Sequence, residues 1–211
     1  MLDEFDRQTD VLLAHGYPGL LGTDRDGLLA RLAPLRARLQ ALALAPPAET
    51  AGNIPLCIAF APGRIRPADA MAQVEARSAA GLVDMYPLQP DDFAPIADVQ
   101  LPPGEAYLLI DVDTGRQFLN VSPENALAAI HARGRTPLTL DEGVALAVQV
   151  PQLLTDKARY NAIQTPGSRK PGDQRVPSIW FSKGTPRLGW CWDRNIHTWL
   201  GSASAAARVG A

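Results

Sequence analysis

From Ser178 the chain reads Ser-Ile-Trp-Phe-Ser-Lys-Gly-Thr-Pro-Arg-Leu-Gly-Trp-Cys-Trp-Asp-Arg-Asn-Ile-His-Thr-Trp-Leu-Gly-Ser-Ala-Ser-Ala. This stretch, the tail, holds all four tryptophans of the chain. Apolar and aromatic residues on both sides of Gly184-Thr185-Pro186 predict two strands, 178–183 and 187–193, that pair as a β-hairpin. Tryptophan carries a large apolar area, so we expect a core or a site to be built on this hairpin.

The tryptophans allow two interpretations. Trp190 and Trp192 share one face of their predicted strand, because side chains alternate along a strand. Residues 201–207 are small, so a ligand or a backbone could approach them closely. An indole-walled pocket with Arg187, Arg194 and His197 at its rim would suit a small anionic or planar ligand. Alternatively, the indoles form an aromatic core that holds the C-terminal segment on the sheet.

The composition is that of a globular protein. Hydrophobic residues make up 46% of the 211 residues and charged residues 20%, which excludes a disordered or fibrous chain. The sequence contains no apolar run of about 18 residues, so no transmembrane helix is expected, and its acidic N-terminus is unlike a signal peptide. With Cys57 and Cys191 as its only cysteines, we expect no disulfide framework and a cytoplasmic location.

Alternating helical and strand-like patterns predict an α+β fold. Leucines from Leu28 to Leu42 recur at helical spacing, so residues 1–45 are predicted to form an N-terminal helical segment. The Ala- and Pro-rich residues 46–53 are typical of a linker, and residues 54–211 are predicted to form an α+β domain. In that domain we expect a mixed or antiparallel sheet with helices packed on one side, closed by the Trp-rich C-terminal hairpin.

Two patterns within this domain give more specific predictions. The apolar segments 106–112 and 116–121 flank Asp113-Thr114-Gly115, which is typical of a second β-hairpin. Ser122 is followed by proline and an acidic residue, and Thr139 is followed three residues later by an acidic residue. Both residues therefore predict helix N-termini.

The sequence Asp111-Val-Asp113-Thr114-Gly115 permits two catalytic interpretations besides a turn. Asp-Thr-Gly is one half of an aspartic-protease dyad, which needs two carboxylates and so would require a symmetric dimer. Asp-x-Asp after an apolar strand is similar to the haloacid-dehalogenase nucleophile, but Thr114 stands three residues after Asp111 where that motif has four. We favour the turn, because Asp and Gly are the residues that tight turns demand.

Charge is distributed unevenly along the chain. Residues 84–156 contain eleven acidic residues and three arginines, whereas residues 157–194 contain eight basic and two acidic residues. Either the two segments dock on each other, or the basic one forms an anion site. The whole chain carries a net charge of −2, so we expect no nucleic acid as partner. Three of the basic side chains lie in the polar loop 167–175: Arg169, Lys170 and Arg175.

Cys191, Asp193 and His197 are the candidates for catalysis. A hydrolase or transferase could use His197 as acid and base, with Asp193 to orient it. Cys191 is more typical of a buried core thiol. Structural zinc needs four ligands, and no second Cys or His lies nearby in the sequence. We therefore expect no metal and no cofactor.

The tail also resembles a known family. Trp-Phe-Ser-Lys-Gly-x-Pro-x-Leu-Gly-Trp-Cys-Trp and His-Thr-Trp-Leu-Gly-Ser-Ala-Ser, both within residues 176–205, resemble the end of an uncharacterised bacterial family, the domain-of-unknown-function family 5701. Asp111-Val-Asp-Thr-Gly, Pro137-Leu-Thr-Leu-Asp-Glu-Gly and Gly167-Ser-Arg fit the same pattern. The resemblance covers roughly the last two-thirds of the chain. It implies no activity, cofactor or catalytic residue.

Three functional hypotheses follow from these observations. The first is a cytoplasmic protein that binds a small anionic molecule between the loop 167–175 and the tail, with no membrane partner. The second is a hydrolase or transferase that acts at the same place through His197 and Asp193. The third is a homo-oligomeric interaction protein, such as a homodimer, whose exposed indoles form the interface. The predicted ligand-binding residues are Arg169, Lys170, Arg175, Arg187, Trp190, Trp192, Arg194, His197 and Trp199.

Overall fold

The structure, a computed structural model, describes residues 1–47 and 50–211. Within these residues the chain forms six α-helices: α1 (Leu2–Ala14), α2 (Tyr17–Leu20), α3 (Arg25–Leu42), α4 (Pro67–Met71), α5 (Pro123–Ala132) and α6 (Leu140–Gln149). It also forms thirteen strands: β1 (Asn53–Phe60), β2 (Glu75–Ala76), β3 (Ala79–Ala80), β4 (Leu82–Val83), β5 (Ala94–Pro95), β6 (Ala106–Asp113), β7 (Thr136–Pro137), β8 (Ala162–Gln164), β9 (Ser168–Arg169), β10 (Arg175–Ser182), β11 (Thr185–Trp192), β12 (Leu200–Ser202) and β13 (Ser204–Val209). Short 3-10 helices span Pro90–Asp92, Arg116–Phe118 and Pro151–Leu154.

Two sheets contain most of the strands, and together with the helices they confirm the predicted α+β class. The first sheet has the order β1-β6-β13-β7 and is antiparallel. The second has the order β12-β8-β10-β11-β4, with antiparallel pairs at its centre and parallel pairs at both ends. The strand pairs β2–β3 and β5–β9 form two small additional sheets.

Five of the six helices and both sheets share one hydrophobic core, whereas α5 packs Ala126 and Ile130 with Phe118 in a separate small cluster. Helix α6 begins with a capping box between Thr139 and Glu142, as the sequence predicts, and packs against β1 and β10. Helix α3 is one continuous helix that includes Pro34. It buries four leucines on one face, and each contributes about 1.5–3 kcal/mol: Leu28, Leu32, Leu35 and Leu39.

The N-terminal helices belong to the same apolar cluster as the sheets. Strand β1 begins at Asn53, the last residue of the predicted linker, and residues 48 and 49 of that linker lie outside the described residues. The division into residues 1–45, 46–53 and 54–211 stays a prediction. In residues 1–47 and 50–211, no α-helix has the length and apolar character that a membrane span needs.

The free edge of β1 is closed by a side chain from α1. Gln8 is fully buried, and its Nε2 donates a hydrogen bond to the Leu56 carbonyl at 2.7 Å. Its Oε1 accepts a hydrogen bond from the Ile58 N–H at 2.9 Å. Gln149 of α6 donates to the Ile58 carbonyl at 2.7 Å. These amides satisfy backbone groups that a neighbouring strand would otherwise bind.

The C-terminal Trp-rich hairpin is confirmed, and it is longer than predicted. Strands β10 and β11 pair along their whole length. The turn consists of Lys183 and Gly184, both left-handed with φ of 51° and 77°, which is the geometry that suits the twist of a two-residue hairpin. Strand β11 therefore begins at Thr185 instead of Arg187.

The second predicted hairpin, over residues 106–121, is wrong. Residues 106–113 form β6 as expected, but residues 116–118 form a 3-10 helix. Both edges of β6 are already paired, with β1 and β13, and Gly115 turns the chain away with φ of 79°. Asp-Thr-Gly is thus a turn between a strand and a helix. Helix α5 follows from its predicted cap Ser122.

Candidate functional site

A cleft of about 410 Å³ lies where β10 extends beyond its neighbour β8. Strand β8 pairs with β10 only at residues 178–179, so no strand of the described residues lies beside residues 180–182 on that side. The Pro177 carbonyl accepts a hydrogen bond from Thr165 on the same side. Strand alternation therefore turns the N–H and C=O of Phe181 towards the cleft.

Aromatic side chains form the walls of the cleft. Trp180 and Trp199 meet edge to face, with ring centroids 6.3 Å apart. The Trp180 indole N–H donates to Ser182 Oγ at 3.1 Å, and Trp199 is 47% exposed at the mouth. Tyr160 is buried, and burial raises the pKa of its hydroxyl. The other apolar wall residues are Leu119, Leu153, Leu154, Ala162 and Phe181.

Two cations line the cleft without a carboxylate partner among the described residues. Arg116 Nη1 donates to the backbone carbonyls of Tyr160 at 2.9 Å and Lys157 at 3.2 Å. These bonds hold the guanidinium against the wall and leave its Nε and Nη2 N–H groups without an acceptor in the part of the chain described. The Lys157 side chain is exposed beside it. The cleft therefore combines apolar rings with positive charge.

The turn at residues 113–115 places Arg116 in this wall. Thr114 Oγ1 donates to Asn161 Oδ1 at 2.9 Å, and Asn161 Nδ2 donates back to the Thr114 carbonyl at 2.9 Å. A β-carbon on the glycine of this turn would lie 2.2 Å from the Ser202 carbonyl oxygen. The turn is thus held against β12 and against Asn161, which directly precedes β8, and the residue that follows the turn lines the cleft.

Most basic residues of the predicted site bind other parts of the protein. Arg169 donates to the backbone carbonyls of Pro166 and Ser168, and burial lowers the pKa of its guanidinium. Three others pair with carboxylates from the acidic segment 84–156, so the two segments do dock on each other. These pairs are Lys170–Asp92 at 3.2 Å, Arg187–Asp84 at 2.9 Å and Arg194–Glu124 at 3.2 Å.

Trp190 and Trp192 contact each other and an arginine of the chain itself. Their rings meet edge to face with centroids 5.4 Å apart, and the guanidinium carbon of Arg175 lies 4.6 Å from the centroid of each ring. Its Nη1 also binds Asp173 Oδ2 at 2.7 Å. Arg175 therefore occupies the position against these two indoles where the sequence interpretation placed a ligand.

The three candidates for catalysis have separate surroundings. Cys191 is buried, which raises the pKa of its thiol, and its sulfur accepts a hydrogen bond from Gln164 Nε2 at 2.9 Å. His197 stacks edge-on against Trp199 with centroids 5.5 Å apart, and burial lowers the pKa of its imidazole. His197 Nε2 and Asp193 Oδ1 are buried without a hydrogen-bond partner among the described residues. Within those residues, no group of three or more His, Cys, Asp or Glu is arranged to hold a metal.

Of the predicted ligand-binding residues, the structure brings Trp199 into the cleft, with His197 packed against it. The sequence interpretation did not select Arg116, Lys157 or Trp180. Trp180 stands in the tail itself, and Arg116 directly follows Asp-Thr-Gly. A search for basic residues next to tight turns would have found Arg116, whereas Lys157 carries no local signal.

Comparison with known proteins gives one match. Residues 11–211 match the model of a family described as a family of unknown function (DUF5701). No curated protein and no solved structure is similar enough to match.

Proposed function

We propose that this chain, which belongs to the DUF5701 family of unknown function, is a binding protein that holds a small planar anion in the aromatic cleft. One observation carries the proposal: Arg116 and Lys157 line a cleft walled by indoles and have no carboxylate partner among the described residues. Guanidinium and ammonium groups attract an acidic group, and indole faces suit a planar apolar body.

The orientation of Arg116 favours a carboxylate or a phosphate. Its Nη1 is occupied by two carbonyls, so the edge formed by Nε and Nη2 remains available. That edge donates two parallel hydrogen bonds, which match the two oxygens of a carboxylate or phosphate. The volume of about 410 Å³ lies within the range of about 300–1,000 Å³ found for small-molecule pockets.

The polar groups of the cleft support binding more than catalysis. Ser182 Oγ accepts the Trp180 indole N–H, and the Asn161 amide is bonded to Thr114 and to the Ala162 carbonyl. A nucleophile needs a base within hydrogen-bond reach, and none of these groups has one among the described residues. An enzyme that uses His197 and Asp193 is therefore the less supported alternative.

A homodimer is the second candidate, because two apolar side chains near the cleft are exposed: Ile196 at 64% and Trp199 at 47%. Exposed tryptophan is enriched at protein interfaces. Mass measured by light scattering at micromolar concentration tests this candidate, and a purely monomeric chain would exclude it. We also propose a cytoplasmic location, which the two buried free cysteines support.

Calorimetric titration with naphthalene-2-carboxylate tests the main proposal, with the neutral naphthalene-2-methanol as comparison. We expect the acid to bind and the alcohol to bind more weakly. Arg116→Gln should weaken binding of the acid about tenfold or more, because a charge-assisted hydrogen bond is worth about 1.5–3 kcal/mol. Arg38→Gln is the matched control, since Arg38 is exposed on α3 outside the cleft. Equal losses in both variants, or equal affinity for acid and alcohol, would refute the proposal.

A further inference from the structure

The small β2–β3 hairpin lies beside the cleft. Its two-residue turn consists of Arg77 and Ser78, both left-handed with φ of 52° and 62°. Strand β2 packs against the 3-10 helix at residues 151–154, and both strands of the hairpin contact β11. Leu153 and Leu154 of that 3-10 helix line the cleft. The tip of the hairpin is therefore fixed next to the cleft wall.

Arg77 projects from this tip onto a wall residue. Its guanidinium carbon lies 5.3 Å from the ring centroid of Phe181, and Phe181 lines the cleft. Arg77 is exposed and forms no ion pair with a carboxylate of the described residues. A cation–π contact at an exposed site changes an equilibrium by about two- to fivefold. A charge-assisted hydrogen bond to an acidic group is stronger and changes a binding equilibrium by about tenfold or more. An acidic group at the mouth can therefore draw Arg77 away from the ring.

The two cations contact different residues of the cleft wall. Arg116 is bonded to the carbonyls of Lys157 and Tyr160. Arg77 lies over Phe181, and its hairpin packs against residues 151–154. Positive charge therefore reaches the cleft from two separate segments of the chain.

We infer that Arg77 is a second anchoring point and that the ligand is a planar diacid, with one acidic group at Arg116 and Lys157 and the other at Arg77. This inference rests on the proposed function, and it adds the class of ligand and a residue that selects it. A monoacid engages the first anchor only. The distance between the two acidic groups then becomes a determinant of specificity.

Calorimetry with two matched probes tests the inference: naphthalene-2-carboxylate and naphthalene-2,6-dicarboxylate. In the unmodified protein, the diacid should bind about tenfold more tightly than the monoacid. Arg77→Asn should abolish this preference and leave affinity for the monoacid unchanged. Asparagine adopts the left-handed conformation more readily than arginine, so this variant keeps the hairpin. Arg77→Lys retains the charge and should keep part of the preference.

The outcomes separate this inference from the proposed function. If the monoacid binds but the diacid binds no more tightly, Arg77 is no anchor and the ligand class is wrong, whereas the cleft remains a binding site. The same conclusion follows if Arg77→Asn retains the preference for the diacid. If neither acid binds the unmodified protein, both the proposed function and the diacid inference are overturned.

Discussion

The contact between the Asp-Thr-Gly turn and β12 leads to a quantitative prediction for Gly115→Ala. Gly115 has φ of 79°, and an added β-carbon would lie 2.2 Å from the carbonyl oxygen of Ser202 and 2.7 Å from its nitrogen. These are backbone atoms of a strand, so they cannot move aside as a flexible side chain would. The substitution must shift either the turn or β12.

Two costs contribute to the expected loss of stability. The left-handed conformation costs a residue with a β-carbon about 1–2 kcal/mol, and forcing a carbon into a packed region costs about 1–3 kcal/mol more. The free energy of unfolding should therefore fall by about 2–5 kcal/mol, which lowers the midpoint of thermal unfolding by roughly 4–20 °C in a chain of this size. Because the turn carries Arg116, affinity for naphthalene-2-carboxylate should fall in the fraction that remains folded.

Gly134→Ala is the matched control for this experiment. Gly134 has φ of 67°, and an added β-carbon would meet no atom of residues 1–47 and 50–211 within 4 Å. Gly134→Ala therefore incurs only the cost of the left-handed backbone conformation, and urea titration should show that the free energy of unfolding falls by about 1–2 kcal/mol. Equal losses of stability in the two variants would refute the argument that the contact with Ser202 locks the turn.

Three further predictions concern charged groups. Glu142 and Arg208 form a bidentate ion pair, at 2.6 Å and 2.8 Å, in which both side chains are buried. Glu142→Gln leaves the arginine without its partner, so urea titration should show that the free energy of unfolding falls by about 3–5 kcal/mol. A fall of less than about 1 kcal/mol would contradict this. Burial raises the pKa of Asp141 from 3.8 to about 6, so the folded state holds this proton more tightly than the unfolded chain, and stability falls as pH rises between these values. Asp141→Asn should then stabilise the protein by about 3 kcal/mol at pH 7 and much less near pH 4. An equal effect at both pH values would contradict the raised pKa of Asp141. Glu124→Gln breaks an ion pair with Arg194 in which both side chains are more than half exposed. Thermal unfolding should show that the free energy of unfolding falls by less than about 1 kcal/mol.

Local patterns predicted the parts of the fold that local physics determines. Ser122 and Thr139 cap helices as expected, because a capping side chain binds a backbone N–H only three residues away. The Trp-rich hairpin likewise depends on a turn and on neighbouring residues. The hairpin predicted at residues 106–121 does not form, because β1 and β13 occupy both edges of β6. Both strands are distant from β6 in the sequence, so the local pattern could not reveal them.

The candidate site could be predicted only in part. Its wall combines Trp180 and Trp199 with Arg116 and Lys157, which stand far apart in the sequence. Basic residues between positions 167 and 194 were predicted to bind a ligand because they are clustered, yet clustering does not reveal which cations pair with a carboxylate in the folded chain. In the folded chain, Lys170, Arg187 and Arg194 pair with carboxylates of the acidic segment. Arg116 and Lys157 have no carboxylate partner among the described residues.

Helix α1 has a role beyond its apolar contacts, because Gln8 occupies the hydrogen-bonding positions along β1 that another strand would take. A truncated chain without this helix would present an apolar strand with unsatisfied N–H and C=O groups. Such an edge is a template for strand addition from a second copy. Shortened versions of this protein should therefore self-associate in pairs through β1, an association that Gln8 of the N-terminal helix opposes.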